Sequence, residues 1–598
     1  MPVTKLTPSY YTILASKYRN QAELDHQLIL VFKKLTTAIR ITAQTDEYPT
    51  SNTPMTLLFP FLRPLIVKLL LAVSTPLPVI TTLDIYHFKW WVAIFDRLNT
   101  LASKDMLLWF CFHIPYYDGA FFNHLDKLEI LHANYCNLLD YASSKWLASN
   151  YFSEDEFLFV SNETCFPYAA SYYWDNNKEL LVKYCRLLRI ICGGWINYSA
   201  PQIATTSGQS NSAAKIRICF ISDSLVADSS VFRDRAALVG KLDKTRFEVY
   251  VASFVELAKI KHKIASQFIG KLGANYIYLG HNITTARQRL QPYNFDVIIY
   301  PDIGMKVRPT LLAYSRIAPV QINTWGHSET SGINTLDYFV SSKYFELDSI
   351  QKAQEFYSER LITMESLSTY YVSPSALFLD GPIASRENLR YELGFQATDR
   401  IYGCLQTFYK ISPVMIKIFA GILRGDSNAV LVLSNCYPYP KSLAAQLIAI
   451  GGKEWSCEFK RRIRWFPPLD KRQYLQLVSI CDIHLDPTPF GGCNTSYDAF
   501  DFNIPVITLP SCKISGRFTF GLYKKMDADT GVDIVKDVVA TTADSYIARA
   551  IEIAGNTKLH NMISRKIETA KRAIFMCGDV IAEYEALLVS LATSSKIC

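Results

Sequence analysis

Apolar residues recur at helical spacing through the first 200 or so positions. Examples are Leu28-Ile29-Leu30-Val31-Phe32, Leu69-Leu70-Leu71 with Val73, Leu128 with Ile130 and Leu131, and Leu180-Leu181-Tyr184-Leu187-Leu188-Ile190. The spacing predicts an all-α domain over residues 1–200, because apolar positions three and four apart share one helix face. The stretch Met55–Ile80 is apolar but broken by Pro60, Arg63, Pro64, Lys68, Pro76 and Pro78. A spanning helix needs about 20 nearly unbroken apolar residues, so a buried helical hairpin is expected there and no transmembrane segment. No 34-residue repeat signature is present, which argues against a tetratricopeptide array.

Residues 201–214 are rich in Ser, Thr, Gly and Gln and read as a linker. Beyond them the texture changes. Short β-branched runs alternate with helical segments, first at Ile216–Ile221, Phe247–Ala252, Tyr276–Leu279, Val297–Tyr300, Val320–Asn323, Tyr338–Val340 and Leu361–Met364. A second series follows at Ile401–Leu405, Ala429–Leu433, Ile463–Phe466, Ile483–Leu485 and Pro505–Leu509. These runs are continuous rather than alternating, as strands buried on both faces are. Two βαβ series predict an α/β protein with two doubly wound lobes, at 215–390 and 391–598. Ligands of such sheets lie beyond the carboxyl ends of the strands, so a crevice between facing lobes is the place to look for chemistry.

Composition narrows the class. Hydrophobic residues make up 49% and charged residues 19%, which suits folded domains with large cores. A net charge of +8 over 598 residues is too weak to argue for nucleic acid. The 14 cysteines have no CxxC pair or regular spacing and read as reduced thiols. With no basic–apolar–small pattern at the start, a cytoplasmic protein is expected.

Three stretches carry candidate chemistry. Leu485 to Asp498 reads as a strand end, a Pro-rich segment, a Gly491-Gly492 turn, and then Cys493-Asn494-Thr495 opening a helix. Free N–H groups at such a helix start stabilise a diphosphate. Asn494 is a favourable cap, and Asp498, one turn further, could accept hydrogen bonds from ribose hydroxyls. An ordinary capped helix would show the same pattern. Gln406 to Pro413 follows a strand and ends in a Ser-Pro helix start, with Lys410 placed to neutralise a leaving phosphate or simply to be solvated. Ala318 to Gly332 runs from a strand into a Gly-punctuated loop carrying Gly326, His327 and Glu329. His327 could line the crevice or serve the scaffold.

In this order, over roughly residues 215–580, these stretches resemble the O-GlcNAc transferase family of glycosyltransferases (glycosyltransferase family 41). The match is closest to the bacterial cytoplasmic protein N-glucosyltransferases that modify adhesins. Those resemble this chain in a helical N-terminal domain and in Thr-x-x-Lys and Asn-x-x-x-Asp, here Thr407 with Lys410 and Asn494 with Asp498. The resemblance implies a GT-B fold, inversion at the anomeric carbon and no metal. It implies that Thr407, Lys410, Gly492, Asn494 and Thr495 bind the nucleotide sugar, that Asp498 holds the ribose, and that Gly326 and His327 line the sugar and acceptor side. The expected activity is transfer of a hexose or N-acetylhexosamine from a UDP-sugar to a polypeptide acceptor, on Asn or Ser/Thr. No other cofactor is expected, and the oligomeric state is left open.

The chain also departs from the family. The loop after the first strand, Ser222 to Asp234, has no His, where the family typically has one; Asp228 is the candidate there to act on an acceptor proton. The stretch Arg464 to Pro468 also lacks a His. Asp527-Ala528-Asp529 lies in a helix-like segment and is not read as a metal-binding DxD. Two other readings stay open: transfer to a small molecule or glycan, and a degenerate relative that binds UDP-sugar or a protein without transfer.

Overall fold

The computed structural model describes residues 128–145, 152–161, 167–172, 174–199, 215–227, 229–261, 263–407, 410–434 and 461–594. Most of the expected all-α domain, the hairpin at Met55–Ile80 and the linker at 201–214 lie outside them. The chain divides into two compact units, and the larger, residues 148–154 and 164–598, holds the two large sheets and a two-stranded pairing of Tyr198–Ser199 with Ser315–Arg316. The smaller unit contributes α1 (Leu128–Lys145), which buries Tyr135, Leu138, Leu139 and Ala142. The amphipathic repeat from Leu180 becomes α2 (Lys178–Ile191), in the larger unit.

The first lobe is a seven-stranded sheet. Its strands are β1 (Ile216–Ile221), β2 (Phe247–Ser253), β3 (Tyr276–Tyr278), β4 (Val297–Tyr300), β5 (Val320–Thr324), β6 (Tyr338–Ser342) and β7 (Arg360–Met364). The order is β3-β2-β1-β4-β5-β6-β7, with every pairing parallel. The strand order reverses between β1 and β4, so the crevice lies beyond their carboxyl ends. The loop after β1 leads into α3 (Ser230–Lys241), capped by Ser229, whose hydroxyl accepts from the Phe232 N–H at 3.1 Å.

The second lobe has five parallel strands: β8 (Arg400–Cys404), β9 (Ala429–Ser434), β10 (Ile463–Phe466), β11 (Ile483–Leu485) and β12 (Val506–Ile507), in the order β10-β9-β8-β11-β12. Each of these strands lies within one residue of its predicted run at the amino end and two at the carboxyl end. Both faces of β4 and β9 are buried, which is why these strands read as apolar runs, whereas β5 is buried on both faces yet alternates, with Gln321 and Asn323 inside. The predicted Ser-Pro helix start is present: Ser412 caps α4 (Pro413–Gly425), its hydroxyl accepting from the Met415 N–H at 3.2 Å. Further helices are α5 (Asn494–Asp501), α6 (Phe518–Thr530) and α7 (Gly578–Ser594).

The last helix returns to the first lobe. Val580, Tyr584 and Leu588 of α7 join one core with Ile218, Phe220 and Val251. Glu585 fixes this return by accepting from the Asp243 N–H at 2.8 Å and pairing with Arg246 at 3.2 Å. Among the described residues no helix is long and apolar enough to cross a membrane.

Candidate functional site

The turn between β11 and α5 is built around a buried carboxylate. Asp486 accepts the Gly492 N–H at 2.6 Å and the Thr508 hydroxyl at 2.7 Å. Burial pushes its carboxyl up to about 6, against these hydrogen bonds and Lys410. Gly492 lies so close to the Thr495 hydroxyl and the Gln406 amide that a Cβ would overlap both. The Gln406 amide donates to the Thr495 hydroxyl, tying the loop after β8 to the start of α5.

The cap differs from the expectation. Cys493, not Asn494, occupies the N-cap of α5, with no side-chain cap bond. The physical reason is a competing partner: the Asn494 carboxamide oxygen accepts from the Tyr371 hydroxyl, and the Tyr371 ring stacks on Tyr497 at 3.7 Å. The first helical hydrogen bonds run from Ser496 and Tyr497 to the Cys493 carbonyl, at 3.0 and 3.1 Å. The N–H groups of Asn494 and Thr495 precede them, as donors at a helix start do.

Lys410 reaches this turn. Its Nζ donates to the Gly491 carbonyl at 2.8 Å and lies 4.7 Å over the Phe490 ring. Burial lowers its ammonium to about 8, with Asp486 opposing the shift. Thr407 is exposed on the same loop, and residues 408–409 lie outside the described residues.

The first lobe supplies Gly326 and His327 just past β5. A Cβ on Gly326 would overlap the Pro301 carbonyl oxygen, so only glycine fits this backbone approach. His327 is buried, with its ring 6.1 Å from Phe490 and Tyr172 and 6.3 Å from Tyr168. Its Nε2 is 2.9 Å from the Tyr168 carbonyl, which can only accept, so Nε2 is the protonated nitrogen and Nδ1 the one able to accept a proton. Ser171 Oγ is 3.1 Å from the same Nε2. Burial lowers the imidazole to about 4, with Lys513 and Lys410 adding to the shift.

His327 and Lys410, from different lobes, therefore both pack on Phe490. Neither Phe490 nor Lys513 stands out in its local sequence pattern. Lys513 is buried and donates to the Ser171 carbonyl at 2.7 Å and to that of Trp174, and it lies 3.5 Å from Glu329. Glu329 also accepts from Asn177 at 2.9 Å, so this carboxylate is held by the scaffold.

Asp498 has a partner that the sequence did not indicate. Arg233 of α3 donates to both its carboxylate oxygens, at 3.3 Å for the Nη1–Oδ2 pair, and both side chains are buried. Asp228 lies outside the described residues. Asp527 accepts the N–H groups of Ile534 and Val535, at 2.7 and 2.9 Å, and Asp529 pairs with Lys525 at 2.9 Å.

Two lobes with parallel sheets, bridged by a returning terminal helix, define the GT-B fold of glycosyltransferases. A solved O-GlcNAc transferase variant from Thermobaculum terrenum superposes over 89% of this chain and 98% of its own, with a TM-score of 0.58 and 16% identity. In sequence the chain is 25% identical over 250 residues to the probable UDP-N-acetylglucosamine–peptide N-acetylglucosaminyltransferase SPINDLY of Solanum lycopersicum, covering 41% of this chain and 24% of that protein. It is 22% identical over 276 residues to the UDP-glucose:protein N-β-glucosyltransferase of Actinobacillus pleuropneumoniae serotype 5b, covering 44% of this chain and 39% of that one. The chain thus spans well under half the length of these curated relatives. No family model matches it. The resemblance read from the motifs is matched by these relatives, which include both kinds of protein it pointed to.

Proposed function

We propose that the chain transfers a hexose or N-acetylhexosamine from a UDP-sugar to a protein side chain, by direct displacement with inversion and without a metal. The observation that carries this reading is the convergence of Lys410, the Gly491–Gly492 turn and the start of α5, with His327 facing them across Phe490. In this reading Gly492, Asn494 and Thr495 cradle the diphosphate, and Thr407 closes the loop over the nucleotide. Lys410 and the helix start stabilise the charge that develops on departing UDP. One preorganised donor of this kind contributes about 3 kcal/mol. Gly326 and His327 line the sugar and acceptor side, and a neutral His327 offers Nδ1 to the acceptor proton. The names of the sequence relatives support both a UDP-sugar donor and a protein acceptor.

A second reading is a nucleotide-binding protein without transfer. The burial of Asp498 against Arg233 favours it, because the carboxylate expected to hold a ribose is already engaged. UDP release from UDP-glucose and UDP-N-acetylglucosamine, with and without peptide acceptors and EDTA, separates the two. Acceptor-dependent release that survives EDTA is expected. UDP binding with no release would leave the second reading, and loss of release in EDTA would sink the metal-free mechanism.

A further inference from the structure

Arg235 lies in the second turn of α3, two residues beyond the arginine that pairs with Asp498. It is 1% exposed, yet among the described residues only backbone carbonyls accept from it. Its Nη1 donates to the Ser368 and Asp234 carbonyls, at 3.0 and 3.4 Å, and its plane rests on the Trp325 ring at 4.0 Å. Nε and Nη2 are buried with no acceptor among the described residues. Buried donors without acceptors are costly to leave unmet.

The helix that carries Arg235 lies against α5, since Arg233 pairs with Asp498. Cys493, the cap of α5, lies in the field of three cations: Lys410, Arg235 and Arg233. The N–H groups of Asn494 and Thr495 follow directly. Asp234 is the carboxyl in the same field; one of its oxygens has no partner, and burial pushes it up to about 6. It can therefore take up a proton when an anion arrives. Besides Asp234 and the paired Asp498, the place holds more donors than the protein satisfies.

We propose that Arg235 is the first lobe's phosphate ligand, its Nε and Nη2 taking oxygens of a nucleoside diphosphate at the start of α5. The inference rests on the UDP-sugar reading but adds a contact from the opposite lobe, from outside the three motif stretches.

Calorimetric titration of the full chain with uridine, UDP and inorganic pyrophosphate tests it, comparing wild type, R235M and R235K, with circular dichroism melts to check folding. R235M is expected to lose on the order of ten- to a hundred-fold in affinity for UDP and pyrophosphate while its uridine affinity stays unchanged. R235K should fall between R235M and wild type, and it carries the test if R235M does not fold. A folded R235M that binds UDP as tightly as wild type overturns the proposal, as does an equal loss for uridine, which marks a structural role. Pyrophosphate binding that depends on Arg235, without UDP binding, upholds the phosphate ligand and removes the nucleotide reading. A wild-type chain that binds neither overturns both.

Discussion

Arg233 and Asp498 form a two-point ion pair across 265 positions of chain, joining α3 of the first lobe to α5 of the second. Both side chains are buried, 7% and 1% exposed, so each charge depends on the other. Removing one partner of a buried pair costs about 3–5 kcal/mol, because the survivor is left desolvated and unpaired. D498N and R233M are each expected to lower the thermal midpoint by several degrees. The double variant R233M/D498L should recover most of the loss, since apolar replacements of similar size often match a buried pair. The same cycle tests the ribose assignment. If Asp498 serves a ribose, D498N weakens UDP binding, whereas R233M leaves it unchanged or tightens it by freeing the carboxylate.

The Gly492 turn makes a second prediction. A methyl group there has no room beside Thr495 and Gln406, and overpacking of this kind costs about 1–3 kcal/mol. G492A should retain the fold but lose UDP affinity, because the α5 start is displaced from Lys410. Acid should act on the same turn. The Asp486 carboxyl is raised to about 6, so it is charged above that value and protonated below it. The charged form is the strong acceptor for the Gly492 N–H. UDP affinity is therefore expected to fall as pH drops through about 6, and titrations across that range in wild type and D486N check the assignment. D486N should bind weakly at every pH.

His327 supports a third. Its imidazole is lowered to about 4, so it stays neutral through the neutral range. The pH–rate profile should then show no limb from His327 between about 5 and 8. Nε2 is committed to the Tyr168 carbonyl, so H327A is expected to lower stability as well as turnover. H327Q, which keeps a donor of similar reach, should restore more stability than turnover. Equal recovery of both would assign His327 to the scaffold alone.

The parts of this molecule legible in the sequence are those set by local chemistry. Strands such as Val297–Tyr300 and Ala429–Ser434 are short apolar runs because the sheet buries both their faces, and the Ser412-Pro413 start of α4 follows from capping. What was illegible depends on distant partners. Asn494 looks like a cap until Tyr371, 123 positions away, takes its carboxamide. The pairing of Arg233 with Asp498 leaves no trace in either local pattern. Arg235 resembles any helical arginine until Trp325 and Ser368 enclose it. The return of α7 to the first lobe is also hidden, since an amphipathic helix does not specify which core it joins.

Lys410 makes the last prediction, in which activity and stability move in opposite directions with pH. Burial lowers its ammonium from 10.5 to about 8, so the charged form is lost as pH rises through about 8. If that charge stabilises departing UDP, kcat/KM should fall above about pH 8, because this parameter reports the free enzyme. K410R keeps its charge and should lose the alkaline limb, at a lower rate set by its altered reach. K410A should lose roughly a hundred-fold or more in turnover. Stability runs the other way. The unfolded chain holds this proton up to about 10.5, whereas the folded chain releases it near 8. Between those values the unfolded state binds more protons, so this group makes the folded state more stable as pH rises. K410M should therefore melt at or above wild type near pH 7 while turning over far more slowly. Measuring kcat/KM by UDP release, and melting midpoints in the same buffers, checks both signs. A K410M chain that loses stability and activity together would mark Lys410 as a structural residue.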